Sequence, residues 1–285
     1  MNYYTFPLAP GGTFNVERRE HPDMRLACVQ LSPADDPAAN VEKAERKIRA
    51  AAENGADLVL LPEIWNLGYF AFDDYADGAE PMDGPTIDRM RTLAADLDVH
   101  LHAGSIVERD GEDLHNTSAL IDPSGTVLDT YRKIHLYGYG SREQELLTPG
   151  ERVVAVETDL ATVGMTTCYD LRFPELYRAL ADRGVELLLI TSAWPIPRLE
   201  HWLMLNRMRA VENQVFLAAA NLVGDNRGVE LAGHSLIVDP WATPLANAGF
   251  HERTIAADLD LGMVEAARED FPALADRRFE LSYDL

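Results

Sequence analysis

Lysine is scarce in this chain: Lys43, Lys47 and Lys133 are the only three, so nearly all of its 25 basic residues are arginines. They face 47 Asp and Glu, which leaves a formal net charge of −22. Such a field repels polyanions, because nucleic-acid binding draws on clustered Lys and Arg that release counterions from phosphates. The same shortage argues against a membrane-surface binder, which needs a basic face. No apolar run approaches the ~18 residues of a membrane-spanning helix. The opening MNYYTFPLAPGGTF lacks a basic region followed by an apolar one, so no secretory signal is read there, and a cytoplasmic location is expected. Two cysteines, Cys28 and Cys168, are too few for a disulfide framework or a structural zinc site. The eight histidines form no ligand pattern; His100 and His102 share a strand face, but no third ligand accompanies them.

Repeats, low-complexity tracts and Gly/Ser linkers are also missing, so 285 residues read as one large α/β domain. The acidic residues are dispersed rather than gathered in a tail. That surface suits high salt, where screening shortens the reach of self-repulsion, and a halophilic source is expected from it.

Residues 1–23 mix Pro, Gly and charge without period and read as an extension outside the core. The expected domain runs over 24–262, with 263–285 as a C-terminal tail that could reach a partner subunit. RLACVQLS (25–32) reads as a strand, and Pro37 opens a helical stretch that stops at Asn54-Gly55. ADLVLLPE (56–63) is a buried strand ending in a carboxylate, and 85–97 is a helix. Strands follow near 99–107, 115–121 and 126–131, divided by turns at Asp110-Gly111 and Ser124-Gly125. In the second half, strands at 162–168 and 185–193 alternate with helices at 173–183 and 200–213. Further strands are expected near 215–221, 233–238, 243–248 and 254–258. Hairpins interrupt the strand–helix alternation. The pattern therefore predicts an α-β-β-α sandwich of four layers, with two mixed sheets face to face and helices outside.

Three residues stand out chemically. Cys168, in MTTCYDLRFPE, sits where a strand gives way to a helix, whose unpaired N–H groups favour a thiolate and a developing oxyanion. The alternative is a buried structural cysteine, which is the reading of Cys28 in mid-strand. Lys133 lies on an apolar, aromatic-flanked segment, unlike the two lysines on a helix surface. It reads as a point charge that lowers a thiol pKa and steadies an oxyanion, or else as a surface lysine at a strand end. Glu63 closes LVLLPE; a carboxylate after an apolar run is either paired, used as a general base, or exposed just past the strand.

These residues lie in blocks that resemble the carbon–nitrogen hydrolases of the nitrilase superfamily. The blocks are LLPE around Glu63, YRKIHL around Lys133, EQELLTPG from Glu143 and CYDLRFPEL from Cys168. The likeness continues through SAWP (192–195), HW (201–202), RAVENQ (209–214), GHSLIVDPW (233–241) and DRR (276–278). The resemblance implies a Glu63–Lys133–Cys168 triad, with no metal or organic cofactor. Glu63 would take the thiol proton, and Lys133 with the backbone N–H of Tyr169 would hold the oxyanion. Glu143 would be the family's second glutamate, with Glu145 as a less favoured candidate, and His135 would only pack beside Lys133. The family usually forms homodimers or larger homo-oligomers.

True nitrilases usually read Cys-Trp-Glu where this chain has Cys168-Tyr169-Asp170, so amide hydrolysis is expected over nitrile hydrolysis. CYDLRFPEL with SAWP and HW is similar to the Nit-type, ω-amidase-like branch, which acts on small amides that also carry a carboxylate. Arg172 could pair with that carboxylate, or make a structural ion pair with Asp170 or Glu175. Tyr69 and Trp194 could wall the pocket or belong to the core. The alternatives are an N-carbamoyl amide hydrolase, a nitrilase, or an idle scaffold on the same fold.

Overall fold

The architecture follows from alternation along single strands. In Met24–Gln30, Leu26 and Cys28 point into one apolar cluster while Ala27 and Val29 point into another. Leu187–Ser192 repeats this, with Leu187 and Leu189 facing the first cluster and Leu188 and Ile190 a third. A strand buried on both faces needs a layer on each side. The computed structural model describes residues 24–279, together with the backbone of the antiparallel pair Pro7–Leu8 and Gly12–Thr13. The expectation that 1–23 lies outside the core falls beyond these residues.

Two six-stranded mixed sheets supply the inner layers. In one, the spatial order is Arg253–Leu259, Met24–Gln30, Leu58–Leu60, His100–Asp110, Asp113–Ile121 and Val127–Arg132. In the other it is Pro244–Asn247, Leu236–Val238, Phe216–Asn221, Leu187–Ser192, Thr162–Thr167 and Ala155–Glu157. Each sheet holds three parallel strands at its centre and antiparallel strands beside them. The sheets meet through Leu26, Leu58, Leu60, Met165, Leu189 and Phe216. Helices Pro37–Glu53 and Pro85–Leu97 cover the first sheet, and Pro174–Asp182 and Leu199–Asn213 cover the second. The expected sandwich is therefore the observed one.

Local chemistry explains several boundaries. Asp36 caps the first long helix by accepting from the Ala38 N–H at 3.0 Å, and Pro37 occupies the first helical position, where its missing N–H costs nothing. The helix expected over 173–183 is the observed Pro174–Asp182, with Pro174 as its N1 residue, and a separate tight turn, Cys168–Arg172, precedes it. The hairpin Val223–Asn226 and Val229–Ala232 was not expected from the sequence. The helix Gly262–Asp270 spans the expected boundary at 262 and docks on the body, with Val264 and Ala267 buried and the Ala267 carbonyl accepting from Gln214 Nε2 at 2.8 Å. No helix of the described residues is long and apolar enough to cross a membrane.

Candidate active site

The chemically distinctive residues stand at the carboxyl ends of strands, three of them central and one, before Lys133, at a sheet edge. Glu63 follows Leu58–Leu60, Cys168 follows Thr162–Thr167, and Trp194 follows Leu187–Ser192; Lys133 comes directly after Val127–Arg132. Close backbone approaches fix two of these segments. A Cβ on Gly104 would sit 2.2 Å from the Pro62 carbonyl, so only glycine lets that strand pass beneath the Glu63 loop. A Cβ on Gly150 would sit 2.1 Å from the Arg132 carbonyl, and the Gly150 N–H donates to the Lys133 carbonyl at 2.8 Å.

Lys133, Glu63 and Glu143 are all 0% exposed. The Lys133 ammonium lies 2.9 Å from Glu63 Oε1 and 2.8 and 2.9 Å from the two Glu143 oxygens. Asn116 Nδ2 donates to the same Oε1 atoms, at 2.8 Å to Glu63 and 2.9 Å to Glu143. Glu143 Oε2 also accepts from the Tyr69 hydroxyl at 3.1 Å and the Tyr137 N–H at 2.6 Å. Glu143 is thus saturated, whereas Glu63 Oε2 is buried with no hydrogen-bond partner of regular geometry. The Cys168 thiol is close enough to act on that carboxyl as a donor.

Burial sets the protonation of this cluster. It pushes the Glu63 carboxyl above its ordinary range, and the neighbouring Glu143 charge adds to the rise while Lys133 opposes it. On Lys133 burial acts downward, but the Glu143 and Glu63 carboxylates overcome it and hold the ammonium well above its usual value. Lys133 does pull the thiol pKa down, as expected, but the net shift is upward. Burial, followed by the Glu63 charge, raises Cys168 well above an ordinary thiol, and the pull of Lys133 and the Ala193 backbone hydrogen bond is too small to reverse it. The resting sulfur is a neutral thiol beside a carboxylate of raised basicity. A nucleophile in that state needs a base at the moment of attack.

Both reactive segments carry backbone strain. Cys168 has φ 51° and Ile64, next to Glu63, has φ 40°, a left-handed region that costs an L-residue about 1–2 kcal/mol. Asp170 holds the Cys168 turn in place. Its buried carboxylate accepts from the Thr167 N–H at 2.9 Å, the Tyr131 hydroxyl at 2.6 Å and the His135 N–H at 3.0 Å, with His135 Nδ1 at 2.8 Å. The turn bearing the sulfur is therefore tied to the strand end bearing Lys133. His135 does more than pack beside Lys133: besides this bond it stacks on Phe173 at 3.7 Å.

Tyr69, Phe70, Tyr137, Arg172, Trp194 and Arg198 surround the opening above Cys168. Tyr69 and Trp194 thus stand where a pocket wall was expected. Arg172 pairs with neither Asp170 nor Glu175; its guanidinium lies over the Trp194 ring at 4.7 Å and meets His201 Nδ1 at 3.2 Å. Glu145 is exposed and turns to Arg142, so of the two glutamates Glu143 joins the cluster. A larger polar basin of about 410 Å³ lies elsewhere, but its Arg132 and Arg152 are already engaged by Glu108, Asp110 and Asp129. Among the described residues no group of three or more His, Cys, Asp and Glu is arranged to hold a metal ion.

Sequence reasoning missed Asn116, Asp170 and Arg198. Asn116 carried a usable signal, since HNTS is a polar run entering an otherwise apolar strand.

The fold and this cluster are those of an amide-cleaving cysteine enzyme, and the carbon–nitrogen hydrolase family model matches residues 25–269. The chain belongs to that family. It is 40% identical over 234 residues to the 2-oxoglutaramate amidase of Paenarthrobacter nicotinovorans, covering 79% of this chain and 80% of that protein. It is 37% identical over 267 residues to the human omega-amidase NIT2, covering 90% of this chain and 96% of its relative. Among solved structures, a mutant of the amidase from Nesterenkonia sp. AN1 superposes with a TM-score of 0.80 at 29% identity, over 91% of this chain and 95% of that one. In that protein the acetamide moiety of fluoroacetamide is covalently attached at the active-site cysteine.

Proposed function

We propose that this chain is an ω-amidase-like enzyme, hydrolysing the amide of a small carboxylate-bearing acid and releasing ammonia through a thioester on Cys168. One observation carries the reading. Glu63 is clamped through Oε1 by Lys133 and Asn116, Oε2 is buried with no partner of regular geometry, and the Cys168 thiol acts on the carboxyl as a donor. Glu63 takes the Cys168 proton as sulfur attacks the amide carbon. The oxyanion that forms meets the Lys133 ammonium and the Tyr169 N–H, which lies in the first turn of Cys168–Arg172, where helical N–H groups lack intrahelical partners. Protonated Glu63 then passes its proton to the leaving nitrogen, and ammonia departs. Water, deprotonated by Glu63, attacks the thioester; its collapse frees the acid, and the sulfur recovers a proton. Glu143 and Asn116 position Lys133 and Glu63, and Arg172 receives the substrate carboxylate.

The substrate class rests on the activities of the relatives and on Arg172. Ammonia release without carbon dioxide from ω-amides of 2-oxo acids tests it; release of both gases from carbamoyl compounds alone would instead indicate a carbamoyl hydrolase. Asn116→Ala removes two charge-assisted bonds from the carboxylates. It should lower kcat about 10- to 100-fold, from the ~1.5–3 kcal/mol of such bonds. A loss under twofold would remove Asn116 from this scheme.

We also read the protein as a cytoplasmic homodimer or larger homo-oligomer adapted to salt. Unpaired Cys28 and Cys168 suit a reducing compartment. Met204 and Met208, one turn apart and both exposed on Leu199–Asn213, with exposed Phe271 and Phe279, suit a subunit contact. The melting temperature should rise from dilute buffer to molar salt as self-repulsion is screened, and light scattering should give at least twice the 31.6 kDa chain mass. Full stability in dilute buffer contradicts the halophilic reading, and a monomer contradicts the second.

A further inference from the structure

The pocket holds a second arginine whose role the proposed function leaves open. Arg198 follows Pro197 at the end of a short turn, Ile196–Arg198, and lines the pocket with Arg172. In a protein of net charge −22, neither arginine has a carboxylate within ion-pair reach among the described residues. Each instead lies over an aromatic ring. Arg172 lies over Trp194 at 4.7 Å, and Arg198 lies over Tyr139 at 6.0 Å. A cation–π contact of this kind leaves guanidinium N–H groups available to a ligand. Arg198 makes one long hydrogen bond, 3.4 Å to the Pro197 carbonyl, and Arg172 one at 3.2 Å to His201. The Tyr137 phenol lies within the field of both: burial raises its pKa, and the Arg198 and Arg172 charges pull against that rise. Two carboxylate-free cations that line one pocket with the nucleophile form a seat for an anion.

We propose that Arg198 is a specificity-determining residue which, with Arg172, seats the carboxylate at the far end of the substrate while the amide end lies at Cys168. This rests on the amidase reading above and extends it. Two guanidinium edges can hold one carboxylate through separate charge-assisted bonds, which fixes the direction in which the substrate lies as well as its charge. A neutral amide of the same length gains nothing from the seat. The preference for anionic over neutral amides is therefore a property of two arginines rather than one.

The test compares kcat/KM for succinamate with that for its methyl ester, in wild type, Arg198→Gln, Arg198→Lys and Arg172→Gln. Wild type should favour succinamate. Arg198→Gln should cut the succinamate-to-ester ratio about 10- to 100-fold, chiefly through KM, as expected for loss of a charge-assisted bond. Arg198→Lys should restore part of it, supplying charge without the fork. Competitive inhibition by succinate, read on the ester, should weaken in parallel. If Arg198→Gln keeps the wild-type ratio while Arg172→Gln loses it, Arg172 acts alone and the two-arginine seat is overturned. A wild type that hydrolyses the ester in a Cys168-dependent way without preferring the anion overturns both the seat and the carboxylate-bearing substrate. Hydrolysis of neither compound or of any other amide overturns the amidase reading itself.

Discussion

Lys133→Met should abolish amide turnover and cost the fold about 3–5 kcal/mol at neutral pH, the scale for breaking a buried ion pair. The substitution leaves Glu63 and Glu143 buried without the cation both now contact at 2.8–2.9 Å. Methionine replaces the volume but not the charge, so the carboxyls must take up protons or draw in water. Loss of the oxyanion partner alone would slow the reaction about 10²- to 10³-fold; the displaced Glu63 adds to that. The pH dependence has a definite sign. Burial already lifts Glu63 in the wild type, and without the opposing Lys133 charge it rises further. The folded variant then binds more protons than the unfolded chain, so its stability falls as pH rises. Its deficit relative to wild type should be smallest at acid pH and grow toward neutrality. Denaturant melts at several pH values check this, and a variant as stable as wild type at neutral pH would contradict the buried pairing.

Glu63→Gln should reduce kcat about 10³-fold or more, since general-base assistance contributes about 10²- to 10⁴-fold and this base serves both half-reactions. In the wild type Glu63 must be ionised to accept the thiol proton. Activity should therefore fall as pH drops through its raised pKa, placing the acid limb of kcat/KM above the ~4.3 of an ordinary glutamate. Glu143 contributes to that rise, so Glu143→Gln should lower the rate and also move the acid limb to lower pH. Because the thiol is itself held high, iodoacetamide should alkylate Cys168 at a rate governed by the Glu63 limb, while Cys28, raised by burial in mid-sheet, stays inert. An upward shift in Glu143→Gln, or a pH profile unchanged in the surviving activity of Glu63→Gln, would remove Glu63 as the base.

Much of this was legible in the sequence because the three reactive residues punctuate apolar strands. Glu63 and Cys168 each end a run that must be buried, and Lys133 is the one lysine set among aromatics. Such positions are anomalous locally, and the family blocks around them fixed their grouping. What escaped depends on contacts between distant segments. Asn116 lies 53 residues from Glu63 and 27 from Glu143, and nothing in its own strand says that it bridges them. Asp170 looked like a possible partner for Arg172, yet it is claimed by Tyr131, 39 residues away, and by His135. The thiol's protonation was misjudged for a related reason. A helix start and a lysine are visible in the sequence, but the depth of burial that outweighs them is a property of the closed sandwich. The division of the Cys168–Asp182 stretch into a turn and a helix was, by contrast, available from Pro174 alone.

The central claim is that Cys168 carries the acyl group, and the most direct measurement is intact-protein mass spectrometry of the enzyme mixed with succinamate at high salt, alongside ammonia release. Wild type should gain the mass of the succinyl group, mapped to the peptide containing Cys168, as ammonia appears, and Cys168→Ala should show neither. Ammonia release that survives in Cys168→Ala, or an adduct mapped to Cys28, would contradict the account.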